Sequence, residues 1–174
     1  MQITFLVLAT FAAIFTAVAM IWDLRTRRLP NWLTVGAFVA ALGFHTATGG
    51  WAGLATALAG FAVGFGILFV LWLIGGGGGG DVKLMGALGA CLGAPLTLVV
   101  FIVSVFFALM SIVAIFVWRT ISRASRESNI DTSESGLTNR EKLVLSRRLI
   151  PYAVPVALAT WSVLLLKLVS MTAT

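Results

Sequence analysis

The residues of this chain that could do chemistry are few. Of 174 residues only six are acidic, and two of those, Asp23 and Asp81, sit in or beside apolar segments, whereas Glu127, Asp131, Glu134 and Glu141 share one polar stretch. A carboxylate at membrane depth is costly, so both Asp23 and Asp81 are candidate functional groups. Two carboxylates brought within a few ångströms cannot both ionise easily, so one keeps a proton while the other stays charged. Such a pair holds an acid and a base together. The base can draw a proton from water, the hydroxide can attack a carbonyl carbon, and the acid can protonate the carbonyl oxygen or a departing amine. No metal, cofactor or covalent intermediate is expected.

The rest of the inventory narrows the alternatives. His45 is the only histidine, expected at the far end of its span from both aspartates as a satisfied or interfacial group, so a serine–histidine triad is not supported. A metal held on Asp23 and Asp81 would lack nitrogen or sulfur ligands. The single cysteine, Cys91, lies in an apolar segment and reads as a small packing residue. The glycine run Gly75-Gly76-Gly77-Gly78-Gly79-Gly80 is followed by Asp81-Val82-Lys83, without the Gly-Lys-Ser/Thr of a phosphate loop. It bares backbone beside Asp81, where an extended peptide could approach, or it is a flexible linker. Lys83 could orient Asp81 or extend to the membrane surface. Asp23 could equally be a juxtamembrane residue balanced by Arg25 or Arg27.

The elements that position these groups follow from composition. The chain is 60% hydrophobic and 10% charged, which excludes an ordinary soluble domain and predicts one all-α membrane domain over residues 1–174. Its net charge of +6 could suggest a nucleic-acid partner, but the basic residues lie just outside apolar runs and mark topology instead, with the lipid bilayer as the partner. Spans are expected at residues 3–22, 32–47, 52–74, 82–93, 96–118 and 150–170. The first reads as a retained anchor, because no positive charge precedes it and arginines follow. The fourth is too short to cross a full bilayer, so it should be sunk among its neighbours, with Gly86, Gly89 and Gly93 permitting close approach. Gly60 and Gly64 have the same small-residue spacing on the third. Six spans with both termini outside place every Lys and Arg except Lys167 on the cytoplasmic side, together with both aspartates. Pro30 ends the helical tendency at Leu29, and Asn31 is expected to cap the second span. Residues 119–149 form a cytoplasmic loop with an amphipathic helix over 140–149.

These motifs resemble those of the type IV prepilin peptidases. Gly78-Gly79-Gly80-Asp81-Val82-Lys83 is similar to the family's Gly-x-Gly-Asp motif with its following lysine. Asp23-Leu24-Arg25-Thr26-Arg27-Arg28-Leu29-Pro30-Asn31 is similar to its first motif, and Ile150-Pro151-Tyr152-Ala153-Val154-Pro155 to the start of its last span. The resemblance implies an inner-membrane aspartic endopeptidase that removes the basic leader from prepilins or pseudopilins. Asp23 and Asp81 would be the catalytic pair, with Gly78, Gly80, Lys83, Pro30 and Asn31 supporting them. Pilus or secretion assembly components would be further partners. Larger members carry a methylating region with a cysteine-rich zinc site. This sequence resembles instead the short form found with tight-adherence pili. Presenilin-type relatives share Gly-x-Gly-Asp, but Trp22 stands where they have tyrosine and their Pro-Ala-Leu motif is missing. The competing reading is a non-enzymatic membrane assembly component or a small proton-coupled transporter, which would spread carboxylates across the membrane depth.

Overall fold

The computed structural model describes residues 2–26, 28–75, 78–127 and 152–172, and the regular structure among them is entirely helical. In chain order the helices are α1 (Gln2–Thr26), α2 (Asn31–Leu73), α3 (Gly79–Leu92), α4 (Ala94–Glu127) and α5 (Ala153–Thr172). The four other than α3 are long and apolar enough to cross a membrane.

At 43 residues α2 would be ~65 Å long if straight. It is not straight. Gly50 has φ 55° and ψ −137°, a conformation open to glycine and costly for other residues, and the chain reverses there. The rings of Phe38 and Phe61, which a straight helix would hold ~35 Å apart, lie with centroids 4.7 Å apart. The turn expected at residues 48–51 is thus present, with Trp51 exposed beside it. The two arms of α2 correspond to the second and third predicted spans.

Helix α3 is the centre of the molecule. It has 14 residues, a length of ~21 Å, and Val82, Leu84, Met85, Ala87, Leu88, Ala90 and Cys91 are all buried. An apolar helix buried on nearly every side has to be surrounded by other helices. Small residues make that possible: a Cβ added at Gly60 would run into the carbonyl oxygen of Gly89, one added at Gly89 into that of Gly60, and one at Gly64 into that of Met85. The second arm of α2 therefore meets α3 backbone to backbone, as the glycine spacing predicts. Gly86 opens the adjoining face to the rings of Phe61 and Phe65. At the far end of α3, Gly93 turns the chain with φ 75°, and the Thr97 hydroxyl donates to its carbonyl at 2.6 Å, tying α3 to the start of α4. The His45 ring contacts the Cys91 carbonyl at 3.2 Å, so the histidine is satisfied.

Helices α1, α4 and α5 close the other side. Trp161 on α5 donates to the Ala13 carbonyl at 3.4 Å, and the Lys167 ammonium lies 4.7 Å from the centre of the Phe5 ring. Buried hydroxyls bond back to their own helices, Thr16 to Ala12 at 2.8 Å and Thr160 to Val156 at 2.7 Å, which removes the penalty of an unpaired polar group in an apolar interior.

Three expectations are corrected. Helix α4 continues through Glu127 rather than giving way to a loop after Trp118. Helix α3 begins at Gly79, so Asp81 lies inside its first turn and not in a linker before it. Pro30, not Asn31, is the N-cap of α2, with φ −71° and ψ 139° and no side-chain cap. Its carbonyl accepts from Leu33 at 3.2 Å, and Asn31 is free to bond elsewhere. The amphipathic helix expected over residues 140–149 lies outside the described residues, as do Arg27, Gly76, Gly77 and Pro151.

Candidate active site

Asp23 and Asp81 are positioned by opposite helix ends. Asp23 is in the last turns of α1, where the helix dipole disfavours an anion. It is compensated by the start of α5, whose Ala153 N–H donates to Asp23 Oδ2 at 3.4 Å. With 9% of its surface exposed, Asp23 is a buried group and not a solvated residue beside the membrane. Asp81 occupies the first turn of α3, the favourable end for an anion, and the Gly78 N–H donates to its Oδ2 at 3.3 Å. A Cβ at Gly78 would sit 3.0 Å from that same oxygen, so a larger residue there would press on the folded-back carboxylate.

Burial pushes the Asp81 carboxyl up to about 6, against the lowering effect of the Gly78 N–H, and the negative charge of Asp23 raises it further. Asp23, 58 positions earlier in the sequence (81 − 23), thus acts electrostatically on Asp81. The segment after α1 folds over the start of α3, with the Leu29 side chain 3.8 Å from where a Cβ on Gly80 would lie.

Lys83 does not serve Asp81 directly. Its ammonium donates to Asn31 Oδ1 at 2.9 Å, joining the exposed face of α3 to the first turn of α2. The contact unites one residue from each of the two sequence motifs and holds the segment that ends in Pro30 against the glycine-rich one. Beside it is an apolar trough. A cavity of about 430 Å³ is lined by Asn31, Thr34, Phe38, Phe61, Phe65 and Lys83, and a second of about 290 Å³ by Phe65, Phe69, Trp72, Gly79, Val82 and Lys83. Phe65 and Lys83 line both, so the two adjoin, and the second reaches Gly79 and Val82 beside Asp81.

A family model for type IV leader peptidases matches residues 10–113. The chain belongs to the type IV leader peptidase family. No curated protein and no solved structure matches it. The matched residues span Asp23, Pro30, Asn31, Gly78, Gly80, Asp81 and Lys83, and membership in this family implies a protease.

Two further side chains at this site lie beyond or late in that match and carried little signal in the sequence. Tyr152, immediately before α5, has its hydroxyl 3.5 Å from the buried Ser104 hydroxyl on α4. Burial raises its phenol above the ordinary value, the Ser104 contact opposes this, and the negative charge of Asp81 raises it again. Tyr152 was legible only as part of a proline-containing motif. Ser104 is one serine in an apolar helix and had no signal at all.

Proposed function

We propose that the chain is an aspartic endopeptidase in which Asp23 and Asp81 are the catalytic pair, acting on the basic leader of type IV prepilins or pseudopilins. The observation that carries this reading is the placement of the two carboxyls, Asp23 at the end of α1 held by the Ala153 N–H and Asp81 in the first turn of α3 held by the Gly78 N–H, close enough that the charge of Asp23 raises Asp81. A pair that shares one proton has the acid and the base that hydrolysis needs. The ionised carboxylate takes a proton from water, and the water oxygen adds to the peptide carbonyl carbon. The carbonyl π pair moves to oxygen, which accepts the proton of the acid. On collapse one hydroxyl of the gem-diol returns its proton to the ionised carboxylate as C=O re-forms, the C–N bond breaks, and the nitrogen leaves with the proton of the carboxyl that gained one from water, giving one carboxylic acid and one amine and restoring the pair.

The family match over both aspartates supports this assignment, and the apolar trough ending at Gly79 and Val82 suits the apolar stretch of a membrane-bound substrate. In the proposed arrangement α1, the two arms of α2, α3, α4 and α5 are six spans, both termini are outside, and the site opens at the cytoplasmic face of a bacterial inner membrane. Grouping of both carboxyls at one end of the bundle disfavours a proton relay, which needs them distributed across its depth. The test is reconstitution of the purified full chain in lipid with a purified prepilin and amino-terminal sequencing of the product. A single new amino terminus at the end of the basic leader is expected. An intact prepilin after prolonged incubation with correctly folded chain would favour the assembly-component reading.

A further inference from the structure

Tyr152 directly precedes the residue whose backbone holds Asp23, and its phenol senses the charge of Asp81. Its neighbour Ala153 donates a backbone N–H to Asp23, and its own carbonyl accepts from the Val156 N–H at 3.4 Å, so its backbone is fixed at the start of α5. On the other side the negative charge of Asp81 reaches the phenol. The direction of the Ser104 contact follows from counting protons. A serine has one O–H, and that of Ser104 donates to the Phe101 carbonyl at 2.8 Å. In the 3.5 Å contact Ser104 is therefore the acceptor and the Tyr152 hydroxyl the donor. That distance is well beyond the 2.7–2.8 Å usual for O–H···O bonds. The phenol O–H is thus only loosely engaged by Ser104 and free to donate to a closer acceptor.

We propose that Tyr152 is a third catalytic residue, a hydrogen-bond donor to the carbonyl oxygen of the scissile peptide that rests on Ser104 while the site is empty. The inference rests on the peptidase reading of Asp23 and Asp81. As water adds to the carbonyl carbon, the π pair moves to oxygen and the phenol O–H bonds to that oxygen without giving up its proton. The proton itself comes from the acid carboxyl. A donor aimed at charge that develops only in the transition state raises kcat and leaves KM largely unchanged.

Tyr152 is the only tyrosine in the chain, so 3-fluorotyrosine incorporated throughout reports on this residue alone. Its fluorine resonance in the full chain is expected to titrate with a midpoint near 6, the value to which Asp81 is pushed, and to lose that titration in Asp81→Asn. A resonance indifferent to Asp81 overturns the proposal. In the cleavage assay Tyr152→Phe, which keeps the ring, is expected to lower kcat by about 10²-fold with KM nearly constant. Wild-type kcat in Tyr152→Phe, alongside inactive Asp23→Asn and Asp81→Asn, overturns the tyrosine role alone. Activity in either aspartate variant overturns the peptidase reading itself and the tyrosine role with it. If Tyr152→Phe does not accumulate in the membrane, the fluorine titration decides.

Discussion

Replacing Gly60 by alanine tests whether the backbone contact between α2 and α3 positions Asp81. The added methyl would overlap the Gly89 carbonyl oxygen and lie 2.8 Å from both the Gly89 carbonyl carbon and the Gly93 Cα. Carbon atoms prefer 3.5–4.0 Å, so α3 must retreat by about 1 Å, and all the obstructing atoms are backbone. Overpacking of this kind costs about 1–3 kcal/mol. Because Asp81 is on the first turn of the same helix, the retreat also moves one carboxyl relative to the other, and a displacement of about 1 Å can cost on the order of 10²-fold in rate. Thermal unfolding in detergent and single-turnover cleavage of a prepilin would measure the two effects. Gly43→Ala is the control: nothing lies within 4 Å of its added Cβ, and alanine in a helix interior is expected to be neutral or to stabilise by about 0.5–1 kcal/mol. If Gly60→Ala matches Gly43→Ala in both stability and turnover, the close-packing account of Asp81 is wrong.

Two other perturbations follow from the site. Because the Asp81 carboxyl is raised from 3.8 to about 6, the native state holds its proton more tightly than the unfolded chain. Its stabilising contribution is full below about pH 4 and is lost as pH rises through 6, a change of at most about 3 kcal/mol. Stability measured against pH is expected to fall across that window in the wild type and to be flatter in Asp81→Asn, and kcat/KM is expected to decline on the alkaline side of about 6 as the pair loses its shared proton. At the motif junction, Asn31→Ala and Lys83→Ala each break the 2.9 Å bond. Since both side chains are exposed, a double-mutant cycle on unfolding is expected to give a coupling of only about 0.5–1 kcal/mol.

Much of this architecture was legible because it depends on local signals. Apolar run lengths marked the helices, and the Thr48-Gly49-Gly50-Trp51 stretch marked the reversal within α2. The Gly60 and Gly64 spacing and that of Gly86, Gly89 and Gly93 marked the faces that meet. What the sequence concealed depends on which long-range partner wins. Asn31 has the chemistry of a cap, but the Pro30 backbone already occupies the cap position and Lys83, 52 residues away, takes the amide oxygen. Lys83 was read against Asp81 two positions earlier, although on a helix such neighbours do not face each other. The contact between Ala153 and Asp23 spans 130 residues and uses a backbone N–H, which carries no residue-type signature. Helix α4 runs past Trp118 because the serines and arginines that read as a loop are compatible with a polar helical extension.

The central claim is that Asp23 and Asp81 act as one catalytic unit, and the most direct measurement is processing of a co-expressed prepilin by the wild-type chain, Asp23→Asn and Asp81→Asn at matched membrane levels. Asparagine keeps the size of each side chain but can neither accept the proton from water nor return it. Leader removal by the wild type and its loss in each single variant are expected. Continued processing by either variant would contradict the claim.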